Sequence, residues 1–133
     1  MLDVFKLYAT DEKKELAGAR IELGGDAYIV VARAENENFL NKIIEESDKH
    51  LAEIKSLPKE QAAALDQKIL CDVIAATILL DFGGLSYGGK PAKYSVETAA
   101  KFLAHKDFRK MVMKHANNIE IFRREQEVAD VKN

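Results

Sequence analysis

The segment Gly84-Leu85-Ser86-Tyr87-Gly88-Gly89-Lys90 matches the first seven positions of a phosphate-binding loop, with the glycines and the lysine in register. Such a loop cradles phosphate with backbone NH groups. It needs Ser or Thr after the lysine for magnesium, a strand before it, and a helix that starts at the lysine. Pro91 follows the lysine and neither flanking element is indicated, so the segment reads as a glycine-rich turn with a solvated lysine. His50, His105 and His115 are scattered, none four residues from another, and Cys71 has no second cysteine to complete a metal half-site. Cys71 lies in the most apolar stretch of the chain, where burial favours the neutral thiol and core packing over nucleophilic chemistry. Asp72 and Asp81 on the same stretch read as structural carboxylates, because no convergent polar set marks a cleft around them. The expectation is therefore a protein that is not an enzyme, with no catalytic residue, no cofactor and no metal site.

A basic bias runs from Lys90 through Lys93, Lys101, Lys106, Arg109 and Lys110 to Lys114, opposed by Glu97 and Asp107. Binders of single-stranded nucleic acid interleave such cations with aromatic platforms, whereas Phe102 and Phe108 fall at apolar helix positions. The patch reads as solvated helix faces, with Arg109 and Lys110 as candidate contacts for an acidic protein surface such as the Glu45-Glu46-Asp48 side of a second copy. Over the 133 residues, 20 Lys and Arg stand against 22 Asp and Glu, so the formal net charge of -2 creates no general pull toward nucleic acid or anionic lipid. One cysteine excludes an intrachain disulfide. The first residues lack a secretory pattern, and no apolar run reaches the ~20 residues of a membrane span. Cytoplasmic localisation is expected.

The elements that must position these residues follow from periodicity. Residues 2–8 and 17–23 lean toward alternation and read as two strands; Thr10, Asp11, Glu12 and Glu15 between them could instead cap a short helical turn. Gly24-Gly25-Asp26 supplies a hairpin turn into the β-branched run 27–32. Asn36 or Asn38 caps an amphipathic helix carrying Phe39, Leu40, Ile43, Ile44, Leu51 and Ile54, which stops at Leu57-Pro58. Residues 59–81 read as one long core helix ended by Gly83-Gly84, and 85–94 as a surface loop or short hairpin. Ser95 caps a helix that pauses near His105-Lys106, and Asp107 caps a last one with the stripe Phe108, Met111, Val112, Ala116, Ile119 and Phe122, whose end past Arg123 is polar all round. The predicted fold is a mainly α, single four-helix domain (helical part 35–130) preceded by a small N-terminal antiparallel β-layer (1–34).

In order and residue type these pieces resemble the tail assembly chaperone family of long non-contractile-tailed bacteriophages and prophages. The resemblance rests on the hairpin leading into Tyr28-Ile29-Val30-Val31-Ala32-Arg33-Ala34, then Asn36-Glu37-Asn38-Phe39. It continues in the apolar helix ending at Leu80-Asp81-Phe82, the turn through Gly89-Lys90 to Tyr94-Ser95, and Glu97, Ala100, Leu103, Asp107, Phe108 and Val112. It covers most of the chain, although Asp81-Phe82 stands where many relatives carry tryptophan, which this chain lacks.

The resemblance implies a factor of the host cytoplasm that self-associates, keeps the tape measure protein soluble while tail tube subunits polymerise around it, and is absent from the mature virion. It also implies a longer, frameshifted form that recruits the tail tube protein; codons for Val131-Lys132-Asn133 are compatible with a slippery heptamer. Candidate exposed contacts are Tyr28 and Val30 on the hairpin and Ile119, Ile121 and Phe122 at the last helix. The competing classes are a generic interaction adaptor or head-tail structural component, and a nucleic-acid-binding regulator using the basic patch.

Overall fold

The computed structural model describes residues 1–123. The strand expected over 2–8 does not form. Asp3 accepts a hydrogen bond from the Lys6 amide (3.2 Å) and starts a single helical turn, α1 (Val4–Leu7). The Asp11 carboxylate accepts from the Lys13 and Lys14 amides (3.0 and 3.2 Å) and starts α2 (Glu12–Ala17), so the cap weighed for this linker is real. β1 (Ala19–Gly24) then pairs antiparallel with β2 (Ala27–Val31) across the turn Gly25-Asp26, the expected hairpin.

α3 (Glu37–Ser56) starts at Asn36, a side chain only 5% exposed that ties three elements together. Its Oδ1 accepts from the Phe39 amide (3.0 Å), while Nδ2 donates to the Arg33 carbonyl (2.7 Å) and the Thr77 carbonyl (3.2 Å). Leu57 adopts extended geometry before Pro58 and ends the helix, as proline requires of its predecessor.

The long helix expected over 59–81 is divided. α4 (Lys59–Thr77) stops four residues early, and after Ile78 the chain enters a strand, β3 (Leu79–Gly83), antiparallel to β2. The physical reason is the second edge of β2, whose backbone groups would otherwise be buried without partners. Leu79 and Phe82 are buried there, and the sheet order is β1-β2-β3. The β-layer is thus completed by a strand from the part of the chain read as helical. Gly83 and Gly84 are not simple helix stops: a Cβ on Gly83 would lie 2.3 Å from the Tyr28 ring, and one on Gly84 2.5 Å from the Asp26 carbonyl.

Residues 85–94 contain the short hairpin β4 (Ser86–Tyr87) and β5 (Lys90–Pro91). Ser95 caps α5 (Val96–Leu103) by accepting from the Thr98 amide at 3.0 Å. α6 (Lys106–Ala116) starts after His105, which leaves Asp107 in the first turn rather than at the cap. The stripe expected to run unbroken to Phe122 is interrupted at Asn117, and Ile119–Phe122 form a 3-10 turn.

The described residues therefore hold six α-helices with a small antiparallel sheet, against the four expected. The polar stretch 124–127 and the slippery-codon positions 131–133 lie outside them. A continuous cluster of buried side chains includes Ile29 and Val31 from β2, Ile74 and Ile78 from α4 and its end, Leu79 and Phe82 from β3, Leu103, Val112, and Phe122. Full burial of each stabilises the fold by about 1.5–3 kcal/mol. No helix among the described residues is long and apolar enough to cross a membrane.

Candidate binding surface

α3 spans 20 residues and contains no buried residue. Its half-buried positions Phe39, Lys42, Ile43, Glu46, His50 and Ile54, with Leu57 just past its end, recur mostly every three or four residues and form the side packed on α4. Leu40, Ile44 and Leu51 form a second stripe, 45%, 61% and 49% exposed. At 100° per residue these three fall within about 40° of one another and about 100° round the helix from the packed side. With Ser47 they make a four-three-four spacing, the interval at which one helix seats against another.

Glu37 and Lys55 flank this stripe at its two ends, and the linked charges of α3 lie further round the helix. Lys42, Lys49 and His50 surround Glu46 at 3.3, 3.5 and 3.6 Å, and His50 also reaches Glu53 at 3.3 Å. Partial desolvation works to raise the Glu46 carboxyl, but Lys42 and Lys49 outweigh it and hold its pKa below the ordinary value. Glu46 and His50 belong to the half-buried side, so this ladder runs along the margin of the face packed on α4 and not over the apolar stripe. α3 and the first half of α4 make a helical arm: buried positions on α4 begin only at Ile69.

The residues singled out from sequence are placed differently. Tyr28 is half-buried, with the Arg20 guanidinium 3.8 Å above its ring and the Gly83 backbone below. Val30 is half-buried and packs over Gly18, whose Cβ, if present, would lie 2.7 Å from Val30 Cγ1. Arg109 donates from Nη1 to the Leu103 carbonyl at 2.8 Å, closing the end of α5, with Cys71 Sγ at 3.8 Å. Only its neighbour Lys110 is exposed, so the two do not act as a pair. Ile119 is half-buried, and Ile121 packs on the core. Phe122 is fully buried, with the Arg33 guanidinium 5.6 Å from its ring centre, which corrects the expectation that it is an exposed contact. Leu40, Ile44 and Leu51 were legible as apolar helix positions, and the signal for their exposure is an apolar arc too wide for one neighbour.

The family described as YdaY prophage protein matches residues 34–133. The chain belongs to that family. The YdaY match starts at the corner that leads into Asn36 and takes in the arm, β3 and both later helices, while α1, α2 and the β1–β2 hairpin precede it. No curated protein and no solved structure matches the chain. This is accordingly a prophage protein, and the exposed apolar stripe of α3 lies within the family's own segment.

Proposed function

We propose that this prophage protein is a tail assembly chaperone that binds and solubilises the tape measure protein and has no catalytic role. The observation that carries this reading is the stripe Leu40, Ile44 and Leu51, held open on a 20-residue helix. Its spacing suits a long helical client with apolar stripes of its own, seated alongside α3 as in a coiled coil. Covering the remaining exposed area of three such side chains gives roughly 1–1.5 kcal/mol each. That total corresponds to about millimolar affinity before ordering costs, so one stripe cannot hold a client alone. Many copies along one client can, through effective concentration.

The same face suits pairing between copies. Glu37 and Lys55 sit on one flank of the stripe at its two ends. An antiparallel partner helix brings each Glu37 toward the partner copy's lysine, so self-association and client binding share one surface. On this reading the protein acts in the host cytoplasm, is missing from the mature virion, and has a longer frameshifted form that recruits the tail tube protein. An adaptor or head-tail structural component would instead be retained in purified particles at fixed stoichiometry.

The test is co-expression with the tape measure protein encoded by the same prophage. Wild type should raise the soluble fraction of the client, and the triple variant Leu40→Gln, Ile44→Gln, Leu51→Gln should not, while keeping its own thermal midpoint. Equal solubilisation by the folded triple variant, or none by wild type, sinks the proposal.

A further inference from the structure

A cleft of about 610 Å³ opens between the β4–β5 hairpin and the corner joining α5 to α6. That volume lies in the range of clefts that enclose ligands. Its apolar walls are Leu85, Tyr87, Phe102 and Phe108, and its basic side chains are Lys101 and His105. The aromatic floor is fixed in place. Phe102 lies 5.7 Å from Phe108 and 5.2 Å from Phe82, and Phe82 is pinned edge-on by Tyr94 at 5.2 Å. Tyr87 forms the outer wall, 5.9 Å from Phe102, and is 63% exposed on the hairpin. None of the residues lining the cleft is acidic.

We infer that this cleft binds a protein segment that presents an apolar side chain, aromatic or large aliphatic, beside a carboxylate. The floor supplies an apolar seat for one such side chain, lined by ring edges and tilted faces. Lys101 on α5 supplies positive charge for a neighbouring carboxylate, His105 just past that helix supplies ring nitrogens for hydrogen bonding, and no residue of the lining is a competing acid. A nucleic-acid strand is a poorer fit: Phe102 and Phe108 meet at 65°, edge toward face, and offer no flat platform for successive bases. The site is remote in sequence from the arm stripe and does not depend on the chaperone reading.

The experiment is an NMR titration of the full chain with three short probes. These are a capped Asp-Phe-Asp peptide, a capped Lys-Phe-Lys peptide and a capped Asp-Ala-Asp peptide, followed by a thymidine oligonucleotide. The acidic phenylalanine peptide should shift the amides of Tyr87, Phe102 and His105, at least about tenfold more tightly than either control, the size of one charge-assisted contact. Lys101→Gln and Tyr87→Ala, both at exposed positions, should each weaken it, whereas Lys106→Gln outside the cleft should leave it unchanged. Absence of shifts at the cleft, an equal response to the basic peptide, or tighter binding of the oligonucleotide overturns the proposal.

Discussion

Phe122 shows how much one side chain's direction decides. It was expected on the surface with Ile119 and Ile121, yet it is fully buried, with Arg33 beside its ring. Phe122→Ala should lower unfolding free energy by about 3–5 kcal/mol, the cost of an aromatic cavity, and Ile119→Ala by much less. Urea unfolding monitored by circular dichroism measures both. Tyr94 carries a second residue-scale prediction. Its hydroxyl donates to the Leu79 carbonyl at 2.9 Å, and burial, with the Asp81 carboxylate adding to it, pushes the phenol above its ordinary pKa. The folded state therefore keeps the phenolic proton to higher pH than the unfolded chain does. The resulting stability is complete below the unfolded value of about 10 and is lost as pH rises through the higher folded value. Tyr94→Phe should cost about 1 kcal/mol at neutral pH for the lost hydrogen bond and should flatten part of the alkaline decline. Unfolding midpoints of both proteins at neutral and alkaline pH give the comparison.

At the scale of elements, stability and binding separate on α3. Leu40, Ile44 and Leu51 contribute little to the fold because none is buried, so changing each to Gln should move stability by no more than about 0.5 kcal/mol. Light scattering across a concentration series should show association in the wild type and its loss in the triple variant. Much of this level was readable in the sequence. Asn36, Pro58 and Ser95 set helix boundaries through local hydrogen bonding and backbone restriction, which a single sequence exposes directly. The errors share a different cause. Residues 79–83 are apolar enough for helix or strand, and only the distant edge of β2, some fifty positions earlier, decides between them. Residues 2–8 alternate like a strand but join neither outer edge of the sheet, and the Asp3 cap starts a helical turn instead. The arm stripe was visible as apolar periodicity, but which apolar positions a neighbour covers depends on the packing of α4, which one helix cannot report. The cleft was harder still, since Tyr87, Phe102 and Phe108 meet only after a hairpin folds over a helix corner.

Across the whole molecule, the first residues stand apart from the core. Met1, Leu2, Val4, Phe5 and Tyr8 are exposed, and α1 buries none of its residues. The anchor comes later, where the Asp11 amide donates to the Phe122 carbonyl at 2.8 Å. A chain shortened to begin at Ala9 should keep its thermal midpoint within about 2–4 °C, and a larger drop would assign the first turn a role in the core. The family match begins beyond this region, at residue 34, consistent with the arm and the later helices being what its members share.

The junction at Ile78 has a mechanical meaning. Because a single residue joins the last turn of α4 to β3, there is no slack between the lever and the sheet. Any pull on the tip of the lever passes directly to the backbone bonds with β2, and through Asn36 to the root of α3 as well. If the proposed client is bound on this arm, it meets a rigid strut, and many such struts along one filament would keep it straight as well as dissolved.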